Sequence, residues 1–284
     1  MTSPALEDLL NAGQVHQVRS WLGEATVVSD MSWGLTDIKV LHLDAAGKHF
    51  VLKTAGERNH HIIRELEAHR RYTRVLAEAG LAARLRFSSD VHRLAVLDYQ
   101  PGELCVGTEN EYAPDSHRQA GHALRLLHDQ EQRVAHGYEA RLTAKFLQLL
   151  ERKHRIGASR CRQIRDLFTS YEPKSVAVVP THGDWQPRNW LVDQGKLKVI
   201  DFGRFEFRPA SSDFARLSLQ QWVGHPELEQ AFLQGYGYDP REELSWKMMQ
   251  LREGLGTAVW SYEVGDESFE AQGLQMLADT LDRN

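Results

Sequence analysis

The pattern of apolar and polar positions changes character about a third of the way along the chain. Two short runs, Ile38-Lys39-Val40-Leu41-His42-Leu43 and His49-Phe50-Val51-Leu52-Lys53, flank the turn-rich Asp44-Ala45-Ala46-Gly47. Such runs predict a β-hairpin, here one that ends in a lysine. From His61 to Gly80 the period lengthens, with Ile62, Leu66, His69, Thr73 and Leu76 at helical spacing and Gly80 where a C-cap belongs. That predicts one amphipathic helix. Arg93 to Tyr99 reads as a short buried strand, stopped by Pro101-Gly102. Beyond it the period is mostly helical: His117 to Asp129, then a helix opening at Leu142, then everything after Asp213. The exceptions are a strand over Val176 to Pro180 and a second hairpin, Trp190 to Val192 and Leu197 to Ile200 around Asp193-Gln194-Gly195. The reading is an α+β chain, with a small N-terminal sheet lobe over residues 1–98 and a larger, mainly helical lobe over 99–284. No internal repeat interrupts it.

Composition narrows the class. With 284 residues, 42% hydrophobic, 26% charged, Gly 21 and Pro 9, the chain is an ordinary globular one and excludes disordered, collagen-like and low-complexity classes. No apolar run reaches the roughly 18 residues that span a bilayer, and Glu7 and Asp8 interrupt the opening stretch, so no membrane association and a cytoplasmic location are expected. Cys105 and Cys161 have no paired spacing, which gives neither a disulfide framework nor a thiolate zinc site. The 14 His show no H-E-x-x-H spacing, and neither a G-x-S-x-G elbow nor a G-x-x-x-x-G-K-[ST] loop is present.

Net charge is only −5, yet the signs separate along the chain. Arg141 to Lys174 holds nine basic and three acidic residues, whereas Gln220 to Asn284 holds four basic and twelve acidic. Solvated helix faces account for both runs in the simplest way. Without interleaved aromatics, the segment Arg152 to Arg165 does not read as a nucleic-acid surface.

Chemistry concentrates in His182-Gly183-Asp184-Trp185-Gln186-Pro187-Arg188-Asn189, which has the H-x-D-x-x-x-x-N spacing of a kinase catalytic loop. Twelve residues after Asn189 comes Asp201-Phe202-Gly203. Phosphoryl transfer needs a carboxylate to orient and deprotonate the attacking hydroxyl, here Asp184. It also needs an amide oxygen and a second carboxylate to hold Mg2+ on the nucleotide phosphates, here Asn189 and Asp201. The second hairpin would bring Asn189 and Asp201 together at its open end. A turn or strand-end cap would explain each residue singly, but not two motifs in this order. His182 fits a loop-fixing hydrogen bond better than acid–base work. Upstream, Lys53 and a Glu on the following helix repeat the lysine–glutamate pair that positions nucleotide phosphates. Glu65 is favoured over Glu67 because Ala68 and His69 would then pack inward. Ser32-Trp33-Gly34-Leu35-Thr36 offers small and hydroxyl residues, Gly34 and Thr36 among them, for backbone approach to phosphate, although it has one glycine only.

These residues together resemble the aminoglycoside phosphotransferase family, which includes choline and ethanolamine kinases and has a protein-kinase-like fold. The resemblance covers nearly the whole chain. It implies that residues 1–98 bind ATP or GTP and that residues 99–284 carry catalysis and the acceptor. It implies further that Asp98, Tyr99 and Gln100 form the hinge that meets the nucleobase, and that Asp213 is a structural hydrogen-bonder beneath the loop of Asp184. Arg188, where many members have glycine, and Phe202-Gly203-Arg204 depart from the family pattern beside the acceptor.

The acceptor walls are expected from the C-terminal acidic helices, where Glu227, Glu229, Glu242, Glu243, Glu253, Glu263, Asp266, Glu267 and Glu270 would concentrate a cationic substrate. Trp222 and Trp260 would offer ring faces, with core packing as the alternative for each. The candidate acceptor residues are thus Arg188, Trp222, Trp260 and Glu263. The expected activity is an Mg2+-dependent small-molecule kinase, monomeric or homodimeric, acting on an aminoglycoside or amino sugar. A choline-type metabolite kinase and a non-catalytic nucleotide-binding pseudokinase are the alternatives. No A-P-E segment follows Asp201, which argues against a protein kinase.

Overall fold

The first hairpin belongs to a larger sheet in the computed structural model, which describes residues 4–34, 37–57 and 59–282. The five antiparallel strands are β1 (Thr26–Asp30), β2 (Lys39–Ala45), β3 (Lys48–Thr54), β4 (Leu85–Ser89) and β5 (Leu94–Asp98), in the order β1-β2-β3-β5-β4. Ala46 and Gly47 close the β2–β3 turn with φ of 52° and 76°, the doubly left-handed turn that matches the twist of a two-residue hairpin. Lys53 lies in the central strand, opposite Val40 on one side and Ala95 on the other, so its Cα is fixed from both edges. The pattern did not reveal β1 and β4. Both are edge strands, β1 mostly exposed and β4 with no buried residue, and an edge strand that buries little carries no clear alternation.

The helix expected over His61 to Gly80 is two helices, His61–Arg71 and Arg74–Glu78. Thr73 explains the break: its hydroxyl sits 3.0 Å from His69 Nδ1 and also reaches back to the His69 carbonyl, competing with the helical ladder. Gly80 does stand past the end, at φ 73°.

In the C-terminal part the strands Trp190–Asp193 and Lys196–Val199 form the second hairpin, to which Glu103–Leu104 adds a third strand. The helices Pro114–His128, Pro226–Tyr236, Glu243–Val264 and Glu267–Asp282 make up most of the rest. Trp185, Trp190, Phe202, Phe205, Phe214 and Phe232 are buried in one core that also contains Ala68, Tyr72 and Leu76 from the two short helices. Full burial of a large side chain contributes roughly 1.5–3 kcal/mol, so this core anchors the second hairpin to the helix carrying Glu65.

The two charge runs meet each other. Arg152 pairs with Glu263 at 2.7 Å, Arg155 with Glu270 at 3.2 Å, and Arg160 approaches Asp282 at 4.0 Å. No helix of the described residues is long and apolar enough to cross a membrane.

Candidate active site

Asn189 and Asp201 are joined through the backbone at the open end of the second hairpin. The Asn189 carbonyl accepts from Ile200 N–H at 3.0 Å, which places Asp201 one residue beyond that bond. Asp201 itself has φ 65°, a left-handed conformation that Asp tolerates better than most residues, and its side chain is 53% exposed. Its Oδ1 lies 3.5 Å from Lys53 Nζ.

The lysine is held mainly by Glu65, at 2.6 Å, with both groups buried. Burial alone would lower the Lys53 pKa, but the Asp201 and Glu65 carboxylates outweigh it and the ammonium is stabilised. Burial likewise acts against the Glu65 charge, and the Lys53 ammonium with the His69 hydrogen bond still pulls its pKa down to about 2. Ala68 and His69 pack inward as expected, while Glu67 is exposed and faces Arg71.

Asp184 is buried and surrounded by donors. Its Oδ1 accepts from Gln186 Nε2 and from Arg216, each at 2.6 Å; its Oδ2 accepts from Arg188 at 2.7 Å and from Asn189 Nδ2 at 3.1 Å. Burial opposes its charge, but Arg216, Arg204 and Arg188 hold the carboxyl well below the usual carboxylate range. The loop beneath is pinned by Asp213, which accepts from His182 N–H at 2.8 Å and Gly183 N–H at 2.7 Å and also meets His128 Nε2 at 3.1 Å. His182 lies 3.0 Å from the Ile200 carbonyl through Nε2 and accepts from the Asp184 N–H through Nδ1 at 3.2 Å. Both His182 contacts run to backbone, so its geometry is that of a brace. Gly183 has φ 82°, and a β-carbon there would overlap the Arg204 carbonyl, so no side chain fits.

A cavity of about 1160 Å³ connects these groups. Lys53, Glu65, Asp184, Asn189 and Asp201 line it, as do Asp98, Tyr99 and Gln100 at the other end. Between the two ends lie apolar side chains on opposite walls, Val40, Val51 and Leu97 from the sheet and Leu191 and Val199 from the second hairpin. Such a slot suits a flat ring with phosphates running toward Lys53. Gly34 is exposed and outside the lining, where Met31 and Trp33 stand instead; Thr36 lies outside the described residues.

On the acceptor side, Arg188 and Trp260 line the cavity. Trp222 and Glu263 do not. Trp222 is packed in the core against Phe214 and Phe232, with its indole N–H on His117 Nδ1 at 3.3 Å, and Glu263 is occupied by Arg152. Of the acidic residues expected there, only Asp266 lines the cavity. Glu229 pairs with Arg241 and Glu253 with Arg216, while Glu267 and Glu270 face Arg155. The residues that sequence reasoning missed are Gln186 and Arg216, while Arg204 was noted only as a departure beside the acceptor and not placed on Asp184. Arg216 is 32 residues from Asp184 and only the chain's path brings it near.

The sheet-and-helix architecture around a cleft, with a lysine–glutamate pair on one side and the loop of Asp184 on the other, defines a protein-kinase-like enzyme. The chain belongs to the phosphotransferase enzyme family (APH), whose model matches residues 30–246. It is a phosphotransferase of the small-molecule kinase type, with an alcohol group as acceptor. Among solved structures it is similar to the aminoglycoside phosphotransferase APH(4)-Ia in complex with ADP and hygromycin B, at 14% identity and TM-score 0.68, covering 94% of this chain and 97% of that one. It is also similar to choline kinase LicA from Streptococcus pneumoniae, at 13% identity and TM-score 0.63, covering 96% and 100%. The macrolide 2'-phosphotransferase MphH from Brachybacterium faecium shows 18% identity and TM-score 0.62, covering 95% and 98%. These likenesses establish the fold. No curated protein matches the sequence.

Proposed function

We propose that this phosphotransferase moves the γ-phosphoryl group of ATP or GTP, with Mg2+, to a hydroxyl of a small molecule, and that the nucleotide is held chiefly by residues 1–98 and the acceptor by residues 99–284. The observation that carries the reading is that Lys53, Asp184, Asn189 and Asp201 line one cavity whose far end is an apolar slot. The nucleobase would lie in that slot beside Asp98, Tyr99 and Gln100, with Lys53 on the phosphates.

The donor set fits a hard divalent cation. The Asn189 amide nitrogen is spent on Asp184, which leaves the amide oxygen for a cation, and the half-exposed Asp201 carboxylate lines the same cavity. Asn189 and Asp201 would hold Mg2+, which when bound would supply positive charge to offset that on the transferring group. Asp184 orients the acceptor hydroxyl and takes its proton as the bond from phosphorus to the acceptor oxygen forms and the bond to the departing nucleoside diphosphate breaks. So acidic a carboxyl is a weak base, which suits a loose transition state in which the proton leaves late. Asp213 and His182 fix the loop that presents it.

Aminoglycoside, macrolide and choline acceptors belong to the similar structures by name. The cationic acceptor expected from the acidic helices, whether an amino sugar or a choline-type amine, loses that support here, because those carboxylates are mostly paired elsewhere. The test is Asp184→Asn, followed by nucleoside diphosphate release and by calorimetry of Mg-nucleotide binding. Turnover should fall at least ~10²-fold while nucleotide affinity stays close to wild type. An unchanged rate removes Asp184 from the reaction.

A further inference from the structure

On the acceptor side of Asp184 two guanidiniums, Arg188 and Arg204, line the cavity wall. Arg216 is buried between two acids, Asp184 and Glu253, and is fully engaged. Arg188 makes one ion pair, to Asp184, and its side chain is 37% exposed. Arg204 lines the cavity wall; among the described residues its guanidinium is in no hydrogen bond or ion pair, and burial lowers its pKa against the pull of Asp184. The other carboxylate on this side of the lining, Asp266, accepts from the Phe269 N–H at 2.9 Å through one oxygen and keeps its charge. Arg204 is therefore the guanidinium of this wall that no carboxylate holds by a hydrogen bond, although it lies in the field of Asp184.

The contacts of Asp184 point the same way. Both its oxygens are taken, Oδ1 by Gln186 and Arg216 and Oδ2 by Arg188 and Asn189, so an incoming hydroxyl competes with a protein donor. Arg188 is the one charged donor among these that is half-exposed, and an anion beside it would draw its guanidinium away and release Oδ2. Guanidinium forks match carboxylates and phosphates in this way. Trp260 and Phe269, edge to face at 6.0 Å, line the same end with Ser268 and Gln272 and offer an apolar face with polar neighbours.

We infer that the acceptor is a hydroxylated anion, carrying a carboxylate or a phosphate that Arg204 and Arg188 hold while its hydroxyl lies on Asp184. This rests on the phosphoryl-transfer reading above and names the charge class of its substrate. Because the Arg204 guanidinium makes no hydrogen bond and Asp184 keeps Arg216, Arg188, Gln186 and Asn189, Arg204→Gln should remain folded, and Arg204→Lys keeps the charge without the fork.

The experiment uses matched probes that differ in charge: glucuronate, glucose 6-phosphate, glucose and glucosamine, and the open-chain set glycerate, glycerol 3-phosphate, glycerol and ethanolamine. Each is tested for turnover, and for binding to the protein loaded with Mg2+ and a non-hydrolysable nucleotide. An anionic member should exceed its neutral and cationic twins, with the uronate and phosphate arms separating the two anions. Arg204→Gln should raise its KM about 10- to 100-fold, the size of a charge-assisted hydrogen bond, with a smaller change in kcat, and Arg204→Lys should recover part of the loss. A cationic or neutral member that binds or reacts best overturns the inference, and so does equal binding across the set. A loss in kcat at unchanged KM also overturns it, since that would put Arg204 on the transferring phosphoryl group. The kinase reading fails separately, by absence of Mg-dependent nucleotide binding and of any diphosphate release in the wild-type protein.

Discussion

A buried charge is only as stable as its partner, and the Lys53–Glu65 pair shows how closely site and stability are tied. Both groups are nearly excluded from water and stand 2.6 Å apart. Glu65→Gln leaves a buried ammonium with one weaker partner, Asp201 at 3.5 Å. Breaking such a pair costs about 3–5 kcal/mol, which for a chain of this size lowers Tm by roughly 6 °C or more. Thermal unfolding within a degree of wild type would contradict the burial of the pair. The site residues legible in the sequence were those whose spacing is itself the geometry: Asp184 and Asn189 on one loop, and Asn189 and Asp201 at the two ends of one hairpin. Lys53 and Glu65 were legible because a strand end and the first turns of the next helix face each other. Arg216 was not, since it reaches Asp184 from a helix 32 residues away and no local pattern records that approach. The acidic helices misled for the complementary reason: a run of like charge reveals its sign but not its partner, and here the partner is the basic segment around Arg152 to Arg160.

At the scale of elements, helical period and turn residues located most of the fold, and what they missed was set by packing. Edge strands β1 and β4 bury too little to leave a pattern, and the break at Tyr72–Thr73 depends on one hydroxyl. The contact between helices Pro114–His128 and Pro226–Tyr236 was also hidden. Gly121 meets the Phe232 carbonyl and Gly235 meets the Arg118 carbonyl, so the two backbones touch where neither residue has a side chain. A methyl group at either point forces the helices apart and disturbs the core around Phe214 and Phe232. Gly235→Ala should therefore destabilise by about 1–3 kcal/mol, a drop in Tm of several degrees. Gly157→Ala, with no atom within 4 Å of its added carbon, is the control and should change Tm little. If the two variants melt together, the helices are not in backbone contact.

Over the whole molecule, the buried charges predict how stability depends on pH. Glu65, Asp184 and Asp213 each have a pKa lowered below the ordinary carboxylate value despite burial, through the Lys53 ammonium, through Arg216 with Arg204 and Arg188, and through the His128 hydrogen bond respectively. A group whose folded pKa is depressed contributes stability that is present above its unfolded pKa and lost as pH falls toward the folded one. For Glu65 the window runs from 4.5 down to about 2, and the loss across it is on the order of 3 kcal/mol. His117 acts earlier and in the same direction. Burial lowers its pKa from 6.5, and its Nδ1 must stay unprotonated to accept from Trp222, so the unfolded chain gains a proton first as pH falls below 6.5. The exposed pairs between the basic and acidic runs contribute little each, because water and salt screen them. The urea midpoint should thus decline gently from about pH 6.5 and steeply below about 4.5, and high salt should not restore it. Lys53→Met combined with Glu65→Leu, which replaces the ion pair with apolar groups, should flatten the steep limb by removing one depressed carboxylate. A midpoint that instead rises between pH 5 and pH 3 would mean that the buried carboxyls are protonated in the folded protein, and the charge assignment of the whole cleft would be reversed.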